Sequence, residues 1–488
     1  MDISLGGLST APKTPVTLPL KMANRHGLIA GATGTGKTVT LKIIAEQFAA
    51  AGIPVFLTDI KGDLTGFCQP SALQDFLVKR ADLLGQPIMP TALPMAVWDI
   101  FGDDGIAVRT TPSEMGPLLL GRLMELNETQ QGVLDILFKM ADDEGLLILD
   151  LSDLRALLSH MSDNTQTLSK TYGNVTAASV AAIQRALLRL QEQGADMFFG
   201  EPALDLNDLM QVTYDGRGMV NVLKADRLMT APRLYASFLL WLLSELFEQL
   251  PEAGDTAKPK FVLFFDEAHL LFTDTPKIVL EKIAQVVRLI RSKGVGVYFI
   301  TQGPGDIPDT ILAQLGHRVQ HALRAFTPAQ QKDIKACADG FRPNPAFDVR
   351  DAVQSLQVGE ALVSVLQSDG TPSVVEKVMI RPPVSTLGPA DTGTLKDTNA
   401  RNPLMGKYHQ RLDRVSATET LGQRNAQRAA ETPAPEEAEK PRATNGRMGS
   451  GEALMKSVIR AVGSQVGRQL TNALIRGVLG GLRGGQSR

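Results

Sequence analysis

Residues Gly31 to Thr38 read GATGTGKT and match G-x-x-x-x-G-K-[ST] at every fixed position. Backbone N–H groups that turn inward at such glycines can surround a polyphosphate. The lysine then reaches its β and γ oxygens, and the hydroxyl that follows is a ligand for magnesium. The flanks suit that chemistry. GLIAG ahead of the loop is a short apolar run, and in KTVTLKIIAEQFAAAG behind it Val39 and Ile43, then Leu41, Ile44 and Phe48, fall at helical spacings before Gly52. A helix starting here points its positive end at the phosphates. The nucleotide-binding residues expected from this pattern are Gly31, Ala32, Thr33, Gly34, Thr35, Gly36, Lys37, Thr38 and Val39, with ATP and Mg2+ as the ligands.

A second constellation lies in FVLFFDEAHLLF, residues 261–272. Five apolar residues run into Asp266 and Glu267, the pattern of a buried strand that delivers two carboxylates to its carboxyl end. Beside a phosphate loop, Asp266 is expected to hold magnesium with Thr38, and Glu267 to polarise the attacking water. Gln302 ends the later strand-like run VGVYFIT, where an amide would sit beside that pair and sense the γ-phosphate or orient the water. His269 is one of six histidines, none of the others at metal-ligand spacing from it, so a packing or hydrogen-bonding role is expected. The letters DEAH do not make the chain a DEAH-box helicase. It lacks a second tandem core and the arginine-rich Q-x-x-G-R-x-G-R segment, and its one Ser-Ala-Thr, residues 416–418, does not closely follow the box.

These residues need a scaffold of buried strands and covering helices. PVFLTDI (54–60), GMVNVLK (218–224), FVLFF (261–265) and VGVYFIT read as strands. KIVLEKIAQVVRLIRSKG reads as a crossover helix, and ALVSVL and VVEKVMI as a closing hairpin. Alternation of this kind predicts an α/β fold with a mostly parallel sheet. Between 102 and 215 the strand signal gives way to three-four apolar periodicity. The expected layout is a first core segment 1–101, a helical insertion 102–215, and a second core segment 216–390. A disordered linker 391–448 follows, because residues 409–488 carry no Phe, Trp or Tyr. In 449–488 Val458, Val462, Val466, Leu470, Leu474 and Val478 recur opposite Lys456, Arg460, Arg468 and Arg476, which predicts a basic amphipathic helix.

Composition narrows the class. The chain is 43% hydrophobic and 21% charged with net charge −2, so no global basic field announces a nucleic-acid partner. Two distant cysteines suit a reducing compartment, the N-terminus lacks a signal peptide, and FLLWLL (238–243) is too short to span a bilayer. A cytoplasmic protein is expected.

Taken with TDIKGDLTGF, VVRLIRSKGVGVYFITQGPGDIPDTILAQLGHRVQHALRAFTP and GEALVSVL, the two motifs resemble those of a bacterial branch of the HerA/FtsK-like P-loop ATPases, the helicase HerA-like proteins, over residues 3 to 390. The resemblance implies a RecA-like P-loop NTPase core with an additional strand, and ATPase activity. It also implies a homo-oligomer, with a hexameric ring and double-stranded DNA as the substrate in HerA-like relatives. It assigns Gln302 as the sensor amide and Arg25 as an arginine touching the nucleotide in cis. Arg291 becomes the arginine supplied to a neighbouring subunit's ATP, with Arg288 its rival one helical turn away. HerA proper carries an N-terminal β-barrel, for which the residues ahead of Gly31 leave no room, and that departure bears on the ring and on translocation. Two readings follow. One is a DNA-moving ring ATPase. The other is a non-motor ATPase switch or scaffold whose C-terminal helix contacts an anionic membrane or a protein, or docks on its own core.

Overall fold

The computed structural model describes residues 2–431, apart from 255, 274, 276 and 326. The expected amphipathic helix at 449–488, and the part of the expected linker beyond 431, lie outside the described residues. The strands are β1 (Ile3–Leu8), β2 (Ala11–Leu18), β3 (Gly27–Ala30), β4 (Val55–Asp59), β5 (Met95–Asp99) and β6 (Ile106–Ala107), then β7 (Val220–Lys224), β8 (Phe261–Phe265), β9 (Val295–Thr301), β10 (His317–Gln320), β11 (Glu360–Ser364) and β12 (Glu376–Ile380). They form one twelve-stranded sheet in the order β2-β1-β12-β11-β10-β3-β9-β8-β4-β7-β5-β6. From β10 to β6 every neighbouring pair is parallel; from β10 to β2 every pair is antiparallel.

The apolar runs form strands because both faces of the sheet are covered. In β8, Phe261, Leu263 and Phe265 pack into one hydrophobic cluster while Val262 and Phe264 pack into the other. That period-two division of an unbroken apolar run is what a parallel sheet with two helical layers demands. Helix α1 (Lys37–Ala50) covers one face. The helix Pro232–Gln249 and the helices between Pro112 and Leu209 cover the other, within a single shared core. FLLWLL therefore lies inside a helix whose apolar side chains are buried in protein. No helix among the described residues is long and apolar enough to cross a membrane.

Three expectations need correction. The sheet does not stop at residue 101, because β6 lies at 106–107 and pairs with β5. Strands β1, β2, β5 and β10 join the sheet without having been expected. β10, HRVQ, looks polar, but His317 is 1% exposed and satisfied: its Nε2–H donates to the Met22 carbonyl and its Nδ1 accepts from the Leu366 N–H. Nor is the stretch after 390 a free linker as far as 431. It forms helices Thr392–Arg401, Pro403–His409 and Ala417–Glu431. Counting aromatics from 409 onward passes over Tyr408, which is fully buried edge-on against Trp98. The Tyr408 hydroxyl donates to Asp208 Oδ2 at 2.6 Å and accepts from the Asp205 N–H, while its carbonyl accepts from Arg109. Farther on, Ser416 and Thr418 both donate to Asp153.

Tyr408→Ala removes a buried ring and the hydroxyl that donates to Asp208 and accepts from the Asp205 N–H. It is expected to lower the unfolding free energy by about 3–5 kcal/mol, read as a fall in the urea midpoint at unchanged m-value. No shift would mean that this stretch is a tether after all.

Candidate active site

Four neighbouring parallel strands, β3, β9, β8 and β4, each end at the same edge of the sheet, and each is followed by a residue with chemistry to offer. After β3 comes the loop Gly31–Gly36 with Lys37. Gln302 follows β9, Asp266 and Glu267 follow β8, and Lys61 stands two residues past the end of β4. The carboxyl ends of parallel strands are where open α/β sheets place ligands.

The loop after β3 is built for close approach. Gly31 has φ +154° and Gly36 φ +115°, conformations that side chains disfavour. A Cβ at Gly31 would stand 2.5 Å from the Cβ of His321. His321 packs beneath the loop, its Nδ1–H donating to the Glu360 carbonyl and its Nε2 accepting from the Thr40 hydroxyl. Burial lowers its pKa to about 4, so the imidazole stays neutral beside Lys37. Lys37 Nζ turns inward and donates to the carbonyls of Gly31 at 2.6 Å and Ala32 at 3.1 Å. Its ammonium thus occupies the mouth of the loop that a phosphate would share. Burial and the nearby Lys61 lower its pKa, and Glu267, Asp266 and Asp306 act against that. Thr33 and Gly34 are exposed at the tip, Ala32, Thr38 and Val39 are half-buried, and Thr35 is tied by its hydroxyl to the Ala32 carbonyl.

Across from the loop, Asp266 is 4% exposed and Glu267 6%. Burial, reinforced by the adjacent Glu267 and opposed by Lys61, pushes the Asp266 carboxyl up to about 7. A buried carboxyl held this high is one that a cation would return to its charged form. Its backbone N–H donates to the Thr58 hydroxyl on β4, which also accepts from Tyr235. Glu267 sits in the left-handed region, φ 45°, and turns its side chain back over the sheet edge. Its Oε1 meets Lys61 Nζ at 2.6 Å, while His269 Nδ1 stands 3.4 Å from Oε2. Oε2 is buried and has no hydrogen-bond partner of normal geometry. Burial raises the Glu267 pKa, but Lys61, His269 and Gln302 together outweigh it and keep the carboxylate charged. Gln302 itself is exposed. The turn beyond it is held by Asp306, whose Oδ2 accepts from Thr301 Oγ1 at 2.6 Å and from the Gly303 N–H at 2.9 Å.

The structure therefore brings together Lys37, Thr38, Asp266, Glu267 and Gln302, and it does not bring in the two arginines. Arg25 ends the 3-10 helix that enters β3 at its amino end, and Arg291 begins the 3-10 turn that enters β9 at its amino end. They neighbour one another there. The Asn24 amide donates to the Arg291 carbonyl, and both guanidinium charges help to lower the buried His26 imidazole, chiefly lowered by burial, to about 3. β9 spans seven residues, so about 20 Å of strand separates that end of the sheet from Gln302. The cis contact expected of Arg25 is thus corrected: β3 carries it to the edge opposite its own phosphate loop. Arg288 is exposed in the last turn of the helix Lys277–Ile290, adjoining the same amino-end edge.

Sequence reasoning missed Lys61, Asp306, Tyr235 and His321 at this site. A signal existed for Lys61 in TDIKGDLTGF, a buried strand whose carboxyl end carries a charged loop. Among the described residues no group of three or more His, Cys, Asp or Glu could hold a metal by itself. That leaves a hydroxyl, a single carboxylate and a nucleotide's phosphates, the set that magnesium accepts with water.

A family model described as Helicase HerA-like C-terminal matches residues 7–488. The DNA double-strand break repair helicase HerA of Sulfolobus acidocaldarius is 19% identical over 382 residues, covering 74% of this chain and 66% of that protein. The protein of the same name from Saccharolobus solfataricus is 22% identical over 369 residues, with the same two coverages. The chain thus spans just under two thirds of the length of these relatives. Among solved structures, the plasmid coupling protein TrwB in complex with ADP and Mg2+ superposes with a TM-score of 0.52 at 14% identity, over 78% of this chain and 89% of that one. That likeness shows the fold, a P-loop α/β core with a mostly parallel sheet. The chain belongs to the helicase HerA-like C-terminal family.

Proposed function

We propose that this chain is an ATP-hydrolysing P-loop ATPase that works as a homo-oligomer on double-stranded DNA. The observation that carries the hydrolytic reading is the convergence of Lys37, Asp266, Glu267 and Gln302 at one sheet edge, with the Glu267 carboxylate buried and held charged among them. Lys37 leaves its two loop carbonyls for the β and γ oxygens of ATP, and the N–H groups of 31–36 surround the same phosphates. Thr38 and Asp266 are the residues that hold Mg2+, which neutralises phosphate charge when bound. Glu267 Oε2 accepts a proton from water as the water oxygen attacks the γ-phosphorus. The bond from that phosphorus to the ADP oxygen breaks, and Gln302 steadies the water or the departing phosphoryl group. The ADP–Mg2+ form of the TrwB relative supports these ligands.

The oligomeric reading rests on Arg291. At the far edge of the sheet it is out of reach of its own Lys37, so an arginine acting on ATP from this position acts on another copy's ATP. The names of the HerA relatives support a DNA substrate. The cysteines among the described residues, Cys68 and Cys337, are free and buried, in keeping with a cytoplasmic setting.

Lys37→Ala is expected to abolish ATP binding in a nucleotide titration, and normal affinity would remove the phosphate-loop assignment. Glu267→Gln is expected to keep ATP affinity while turnover falls about 10²–10⁴-fold; full turnover in that variant would assign the base elsewhere. Arg291→Ala alone is expected to lose at least about 10³-fold in turnover. Mixed with Glu267→Gln protein it should regain activity, because a subunit with an intact Glu267 then receives the partner's arginine. Absence of recovery at every mixing ratio contradicts a shared site.

A further inference from the structure

Lys61 belongs to none of the motifs that define the site, yet it makes the closest charged contact to the proposed base. Its Nζ lies 2.6 Å from Glu267 Oε1, with the Glu267 side chain 8% exposed and that of Lys61 41%. A carboxylate this buried needs a partner to stay charged. The pair also differs from an ordinary surface ion pair in how it is delivered. Asp59, 1% exposed, accepts hydrogen bonds from the N–H groups of Gly62 at 2.8 Å, Asp63 at 3.1 Å and Leu64 at 3.0 Å. That carboxylate-capped turn fixes the backbone on either side of Lys61, and Gly62 turns it with φ +75°. On the other side, the Thr58–Asp266 hydrogen bond locks the ends of β4 and β8 together. Both halves of the pair therefore stand on braced backbone.

The two oxygens of Glu267 are consequently unequal. Oε1 is tied to Lys61, and Oε2, buried and without a hydrogen bond of normal geometry, has His269 Nδ1 at 3.4 Å. A carboxylate fixed by one oxygen leaves only the other to accept a proton from a water held in the site. We propose that Lys61 is a positioning residue for hydrolysis: it anchors Oε1 so that Oε2 faces the attacking water, without itself contributing to nucleotide affinity. The inference rests on the hydrolytic reading of Glu267 given above. It explains why the left-handed conformation of Glu267, costly for a side chain with a Cβ, is retained: that backbone turns the carboxylate back toward β4.

The test is steady-state ATP hydrolysis and ATP titration on full-length wild-type protein, Lys61→Met and Lys61→Arg. Lys61→Met keeps the stem and removes the charge, and is expected to lower kcat about 10–100-fold with the ATP dissociation constant within about twofold of wild type. Lys61→Arg, which restores a donor to Oε1, is expected to recover most of kcat. A Lys61→Met enzyme with wild-type or raised kcat overturns the inference while leaving the hydrolytic reading intact. So does an equal loss in both variants accompanied by lost ATP binding, which would mark a structural role in the loop. A wild-type protein that binds ATP and does not hydrolyse it overturns the hydrolytic reading, and the positioning role with it.

Discussion

Parallel pairing of β3, β9, β8 and β4 is the constraint on which the rest of the molecule depends. Parallel strands end together, about 4.8 Å apart, so four sequence-distant loops deliver Lys37, Gln302, the Asp266–Glu267 pair and Lys61 to a zone no wider than a nucleotide triphosphate. Such pairing requires crossover connections and burial of both faces. The sheet meets that demand with α1 on one side and the insertion helices on the other. The helices between 112 and 209 are thus part of the core that holds β8 and β9 flat against their neighbours. Residues 392–421 extend the same core, through Tyr408 on Trp98 and Asp208 and through Asp153 on Ser416 and Thr418.

Electrostatics at that edge are arranged in opposition. Two ammonium groups, Lys37 and Lys61, face two buried carboxyls, and burial drives each partner toward neutrality while the opposite charges act against it. Asp266 and Glu267 are adjacent but end up differently. Asp266, the deeper, is pushed up by burial and its neighbour; Glu267, in contact with Lys61, is held charged. Divergent environments for paired carboxyls are how one site assigns different tasks to one functional group. A cation holder can begin raised because its metal returns it to the charged form, whereas a base must already be charged.

The apolar runs at 55–59, 220–224, 261–265 and 295–301 are strands where the sequence pattern puts them, and the phosphate loop and carboxylate pair meet as their spacing implies. Those features are local, since a strand buried on two faces writes itself as a continuous apolar run. What escaped reading depends on tertiary partners. β10 is a strand of polar letters whose histidine finds its partners in Met22 and Leu366. The helices after 390 are weakly apolar and are held by a few buried anchors. The family resemblance assigns Arg25 to the nucleotide, but the extended strand β3 separates it from the loop by the length of four residues. Lys61 shows in the sequence only as a charge after a buried strand; its pairing does not, because Glu267 lies about two hundred residues away, across two strand ends.

A site shared between copies and coupled to a polyanionic track should hydrolyse ATP faster when that track is present. The direct measurement is the steady-state hydrolysis rate of the full-length protein with and without long double-stranded DNA, with Glu267→Gln protein as the background. Severalfold or greater stimulation by duplex, absent in the variant, is the result that fits a DNA-handling ATPase. Hydrolysis that is robust in wild type and indifferent to duplex at every concentration would contradict it, and would turn the search toward a protein or membrane partner.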